Sequence, residues 1–151
     1  MNKPVVLITG ALTGIGRAAA LAFAKDGARL VVSGRREAEG KALEAELRRL
    51  GAEAAFIQAD VRRDDEVSDL VDETVARFGR LDVAVNNAGT EGQVGPITEQ
   101  TTESVAATFD TNVLGVILSK TKMMTSVAGT TIFNFWVARS RNMNCPDQEI
   151  E

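Results

Sequence analysis

The sequence predicts an α/β fold: a parallel sheet, doubly wound, with helices on both faces. Three observations predict it. Short apolar, β-branched runs start at residues 5, 30, 55 and 81; segments of helical period fill the intervals; and each of those segments is followed by a glycine. Strand and helix alternating at near-constant spacing require crossover connections, and right-handed crossovers make neighbouring strands parallel.

Residues 5–9 (VVLIT) are continuously apolar and run into glycines, the pattern of a strand buried on both faces. A helix over 14–25 follows, with Gly27 suited to its C-terminal turn. The second strand is expected at 30–33 (LVVS), the second helix at 37–50 before Gly51, the third strand at 55–59 (AFIQA) and the third helix at 64–78 before Gly79. Residues 81–86 (LDVAVN) supply a fourth strand, and 92–96 a loop. Thr101 or Thr102 then caps a long helix running to about Met123, and 130–136 (TTIFNFW) supply a fifth strand. Residues 139–151 (RSRNMNCPDQEIE) contain Pro146 and show neither period, so poor order is expected there.

Composition narrows the chemistry. With 151 residues, 44% hydrophobic and 25% charged, the chain suits one soluble domain with a real core. Lys+Arg number 17 against 21 Asp+Glu, a net charge of -4, and the basic residues are scattered; nucleic acid and anionic membrane surfaces are therefore not expected partners. Histidine and tyrosine are both 0 and cysteine is 1, which removes His-based triads, a phenolic acid, disulfide frameworks and Cys/His zinc sites, and no metal site is expected. Lys3 ahead of an apolar stretch imitates a secretory signal, but Gly10, Gly14, Gly16 and Arg17 interrupt that stretch. A cytoplasmic location is expected, and the lone Cys145 suits it.

The first strand turns into the first helix through Thr9-Gly10-Ala11-Leu12-Thr13-Gly14-Ile15-Gly16. Glycines there permit a tight turn and close approach of main chain to a pyrophosphate, while the helix dipole and free N–H groups favour an anion. A triphosphate-hydrolysing loop is disfavoured, because Gly16 is followed by Arg17 rather than by Lys and Ser or Thr.

With Asp60-Val61 after the third strand, Asn86-Asn87-Ala88-Gly89 after the fourth and Asn112 in the long helix, residues 3–118 resemble the short-chain dehydrogenase/reductase family. The resemblance implies a Rossmann-like fold. It implies that Gly10, Thr13, Gly14, Ile15 and Gly16 hold a pyrophosphate, that Asp60 and Val61 flank an adenine, and that Asn86, Asn87, Ala88 and Gly89 line the cleft floor. At least one of the two asparagines is expected to serve instead as a sheet-end hydrogen-bonding residue. Asn112 matches the family's asparagine that holds a water relay, and the implied substrate is a small alcohol or ketone.

Charge bears on the cofactor. A dinucleotide lacking a 2′-phosphate usually meets a carboxylate at the end of the second strand. Here the strand ends Ser33-Gly34-Arg35-Arg36, without a carboxylate and with two guanidinium groups suited to a 2′-phosphate. NADP is therefore expected ahead of NAD. The alternative is that Arg35 and Arg36 merely open a solvated helix, a poor place for cations.

The family's remaining chemistry does not follow. Its serine position falls near Val137, or at Ser140 with a three-residue shift; Ser126 comes too soon after Asn112; the tyrosine position falls near Ile150, and the lysine four residues later finds no counterpart. Lys120 and Lys122 belong to the wrong helix. The domain is thus expected to be a truncated dinucleotide-binding unit over 1–137, its sheet incomplete in the C-terminal half, with a divergent tail over 138–151. Truncation, a changed reading frame, alternative splicing or deliberate alteration would each produce such a break.

Three functions compete: an NADP-dependent oxidoreductase present in inactive or incomplete form, a nucleotide-binding module without turnover, and a structural fragment. Around Asn112, Val105, Phe109, Val113, Val116 and Ile117 recur at helical spacing. They mark a surface for homo-oligomer association, or a face packed on the chain's own sheet.

Overall fold

The structure is a computed structural model, and it describes residues 3–127 and 129–134. Five parallel strands form one sheet in the order β3-β2-β1-β4-β5. They are β1 (Val5–Thr9), β2 (Arg29–Gly34), β3 (Ala54–Gln58), β4 (Val83–Asn86) and β5 (Thr131–Asn134). Helices α1 (Gly14–Lys25), α2 (Glu37–Arg49), α3 (Asp64–Phe78), α4 (Thr102–Phe109) and α5 (Gly115–Ser126) connect them, with a five-residue π-helical segment, Asp110–Leu114, between the last two.

The continuous apolar strands divide their side chains between two cores, as the two-residue period requires. Val6 and Ile8 of β1, with Leu30 and Val32 of β2, pack under α1 and α2 against Ala20, Ala24, Leu43 and Leu47. Val5 and Leu7, with Val31, Ile57 and Ala84, pack on the opposite side under α3 and α5 against Leu70, Val71 and Met123. Helices on both faces make the sheet doubly wound, as the alternation predicts. The glycines after the first three helices all lie in the left-handed region, with φ of 79°, 88° and 75° at Gly27, Gly51 and Gly79.

Departures from the expected boundaries have local causes. β4 starts at Val83 rather than residue 81 because Asp82 turns inward: its N–H donates to the Val5 carbonyl (3.0 Å) and its carboxylate accepts the Val5 N–H (2.8 Å). The long helix after Thr101 is interrupted by the π-helical segment, which widens the turn around Asn112. Thr101 rather than Thr102 caps it, its hydroxyl accepting the Ser104 N–H at 3.1 Å. β5 begins at Thr131, while the expected Phe135 and Trp136 lie outside the described residues, as do Val137, Ser140, Cys145, Ile150 and the whole of 138–151. Among the described residues, no helix is long and apolar enough to cross a membrane.

Asp82 ties the start of the central strand to its neighbour. Burial would raise its carboxyl, but the Val5 N–H and the Arg80 guanidinium outweigh this and hold it below the ordinary carboxylate range. A carboxyl lowered on folding stabilises above its unfolded value, near 4, and that stabilisation is lost as pH falls through the lower folded value. Asp82→Ala leaves a fully buried N–H unpaired and should cost about 1–3 kcal/mol in urea unfolding at pH 7. The difference between variant and parent should shrink towards pH 2; a cost below ~0.5 kcal/mol at pH 7 would refute the assignment.

Candidate functional site

The carboxyl ends of β1, β2, β3 and β4 open on one cavity of about 350 Å³. It lies where the strand order reverses: the chain runs outward from β1 to β3 on one side, then returns to β4 on the other. Open α/β sheets bind ligands at this switch point, because the two loops there diverge and leave a crevice.

One wall is the β1–α1 turn. Gly10 has φ of 63°, and a Cβ built on it would lie 2.6 Å from the Ala88 Cα. A Cβ on Gly16 would collide with the Asn87 amide nitrogen and the Gly10 carbonyl. Only glycine fits at either place, so the turn lies directly against the β4 end. Thr13 is the N-cap of α1 and makes no side-chain cap bond, leaving its exposed hydroxyl facing solvent. The first-turn N–H groups of α1, including those of Gly14 and Ile15, have no acceptor within the helix. Such donors at the positive end of a helix dipole suit an anion.

The floor is held by hydrogen bonds between β1 and the Asn-Asn-Ala-Gly segment. The Thr9 hydroxyl accepts the N–H groups of both Asn87 and Ala88 (3.2 Å each), and the Asn87 amide donates to the carbonyls of Thr9 (3.2 Å) and Gly10 (3.0 Å). Asn86 donates to the Asn134 side chain at 2.9 Å across β4 and β5, while its own buried Oδ1 lacks a partner. Both asparagines therefore do sheet-end work; Asn87, Ala88 and Gly89 line the cavity and Asn86 lies behind it. Sequence reasoning placed Thr9 only as the first residue of the turn and missed its role: a β-branched residue ending a strand gives no signal of a hydroxyl aimed sideways at the neighbouring strand.

The far wall is cationic. The Gln58 amide donates to the Arg35 carbonyl at 2.8 Å, fixing the main chain where β2 ends. Arg36 pairs with Glu39 at 3.1 Å, whereas Arg35 has no carboxylate within ion-pair distance among the described residues. Gly34 faces Leu12, whose Cδ1 would lie 2.7 Å from any Cβ added there. Asp60 and Val61 complete this wall together with Arg62, which the sequence did not single out. The Arg62 guanidinium holds the Asp60 carboxyl below the usual carboxylate range.

Asn112 lies in the π-helical segment, on the other side of the loop after β4. Its Oδ1 accepts the Thr90 N–H and its Nδ2 donates to the Thr90 carbonyl, both at 2.8 Å. The amide thus fixes that loop through both its oxygen and its nitrogen.

A cradle shaped by absent side chains, free helix-start donors and unpaired cationic charge fits a phosphate-bearing dinucleotide. The comparisons agree with this geometry: the family model described as short chain dehydrogenase matches residues 4–133, and the chain belongs to that family. It is 44% identical over 111 residues to an L-fucose dehydrogenase of Oryctolagus cuniculus, covering 74% of this chain and 38% of that protein. An actinorhodin polyketide ketoreductase solved with NADPH superposes with a TM-score of 0.81 at 35% identity, over 87% of this chain and 52% of the other. A short chain dehydrogenase/reductase from Burkholderia phymatum in complex with NAD gives 0.83 at 31% identity, over 88% of this chain and 48% of that one. The chain thus spans about half the length of these structures and less of the dehydrogenase.

Thr9→Val keeps the shape of the side chain and removes the acceptor shared by two N–H groups. It should destabilise the domain by about 1–3 kcal/mol in denaturant unfolding. An effect within ~0.3 kcal/mol would show that the hydroxyl does not hold the two strand ends together.

Proposed function

We propose that this chain is the NADP-binding portion of an oxidoreductase acting on an alcohol/carbonyl pair. The observation that carries the reading is the end of β2. A Cβ at Gly34 would meet the Leu12 side chain, so this position offers no carboxylate to ribose hydroxyls, and the neighbouring Arg35 guanidinium has no carboxylate within ion-pair distance among the described residues. A 2′-phosphate would meet Arg35 through charge-assisted, bidentate hydrogen bonds, while a bare ribose would find no carboxylate at the end of β2. Arg36, already paired with Glu39, is the lesser contributor. The structural relatives were solved with NADPH and with NAD, both nicotinamide dinucleotides, which supports the class.

When bound, the nicotinamide would give or take a hydride. The chain's own residues supply the rest: the Gly10 to Gly16 turn takes the pyrophosphate, Asp60 and Val61 flank the base, and the Asn87 to Gly89 floor supports the cleft. Asn112 acts through position: its amide holds the Thr90 main chain through one donor and one acceptor. Proton exchange is another matter: these 151 residues contain no tyrosine and no histidine. General acid help is worth roughly 10²–10⁴-fold, so the reading for this polypeptide is binding without turnover. A cytoplasmic location accompanies it.

The stripe on α4, the π-helical segment and α5 bears on partners. Val105, Phe109, Val113 and Ile117 are exposed, Phe109 at 61%, so they face away from the chain's own sheet. With Leu114 at 42% exposure they form an apolar strip, which supports a second copy of this chain as occupant. Sedimentation should show a dimer at tens of micromolar that Phe109→Glu converts to monomer; a monomer throughout would refute this part.

Fluorescence titration tests the cofactor. NADPH should bind about 10–100-fold tighter than NADH, and Arg35→Asp should abolish the preference. Equal affinities in the parent would overturn the choice of NADP. Incubation with NADPH and a panel of ketones should leave absorbance at the buffer rate; turnover that survives repurification would overturn the reading of binding alone.

A further inference from the structure

Among the described residues β3 has one strand neighbour, β2. Its odd-numbered residues face that neighbour: the Glu53 carbonyl accepts the Leu30 N–H at 2.8 Å, and the Ala59 N–H donates to the Gly34 carbonyl at 3.3 Å. The main-chain groups of Ala54, Phe56 and Gln58 therefore point away from the sheet. A row of this kind is a template on which another chain can add a strand.

Side chains of α2 cover two of these groups. The Phe56 N–H donates to Glu44 Oε2 at 3.1 Å, and Arg48 Nε donates to the Ala54 carbonyl at 2.9 Å. Arg48 Nη2 and Glu44 Oε1, 2.5 Å apart, close the bracket. In a parallel ladder the carbonyl of one residue and the N–H two positions later both bond to a single residue of the next strand. Ala54 and Phe56 stand in that relation, so Glu44 and Arg48 take the place of one residue of a further strand. Their reach comes from the helix row: Gly40, Glu44 and Arg48 recur every four residues along one ridge. A Cβ on Gly40 would lie 2.1 Å from the Phe56 ring, so α2 settles against β3 only because that position is glycine, and the next two members of the row are thereby brought to the outer edge.

We propose that the Glu44–Arg48 pair guards this edge, barring a second copy of the chain from adding to the sheet through β3. Two copies present the same edge, so the pairing it bars is antiparallel about a two-fold axis at Phe56. That pairing needs the Phe56 N–H to reach the partner's Phe56 carbonyl, and the Ala54 carbonyl to accept the partner's Gln58 N–H. Both groups are the ones already taken. An ion pair at an exposed surface adds little stability of its own, and the Arg48 side chain is 58% exposed, so the effect lies in the main chain the pair covers. The guard is independent of the cofactor reading and of the apolar strip on α4 and α5.

The test places Glu44→Ala and Arg48→Ala together in a Phe109→Glu background, which keeps the apolar strip out of the comparison. The two changes remove one acid and one base, so net charge stays where it was. Sedimentation at tens of micromolar should show the double variant with a mean mass above the background's, falling back on dilution. Hydrogen exchange locates the contact: the Phe56 N–H should exchange about tenfold faster in the dilute double variant than in the background, and regain protection when concentrated. Glu44→Gln keeps an acceptor for the Phe56 N–H and should match the background in mass. A thermal melt near the background's shows that the variants fold; if the double variant melts early, Glu44→Ala alone carries the same two readouts. A double variant with the background's mass overturns the inference. So does association that leaves the Phe56 N–H unprotected, or a Glu44→Gln variant that associates as readily as the double variant.

Discussion

The junction between the ends of β1 and β4 is the constraint on which the site depends. Two parallel strands cannot be joined by a hairpin, so no tight turn links their carboxyl ends, and side chains or closely approaching main chain can tie them instead. Here both devices operate at once. The Thr9 hydroxyl accepts two N–H groups from the neighbouring strand, and Gly10 lies so near Ala88 that no side chain fits between them. That contact sets the spacing between the glycine turn and the Asn-Asn-Ala-Gly segment, and hence the width of the crevice above.

The remaining walls follow from where each strand stops. β2 ends at Gly34, which puts Arg35 at the rim, and β3 ends at Gln58, which both anchors the Arg35 main chain and leads into the Asp60–Arg62 pair. Cationic charge is thereby gathered on one side of the crevice and main-chain donors on the other. A ligand with two separated anionic groups would meet both.

On the opposite flank the chain gives up helical regularity to hold the loop after β4. The π-helical turn at Asp110–Leu114 brings Asn112 to Thr90, and both amide atoms are used there. The segment flanking it exposes Phe109, Leu114 and Ile117.

What the sequence by itself determined was whatever depends on neighbours along the chain. Short continuous apolar runs and helices of period 3.6 gave four of the strands and the first three helices within two residues, and the glycine spacing located the crevice. The family follows from the same local motifs. Only the tertiary structure decided which partners each polar side chain would have. Thr9, Asn87, Asn112 and Arg62 are short-range ambiguous: each could face solvent, a neighbouring strand or the cavity, and strand pairing 77 to 79 residues apart settles it for Thr9 and Asn87. The roles of Leu12 against Gly34 and of Arg62 on Asp60 were likewise invisible, because steric exclusion and the sharing of acceptor sites exist only once the loops are set side by side. Periodicity records which face is buried; it carries no information about which donor meets which acceptor.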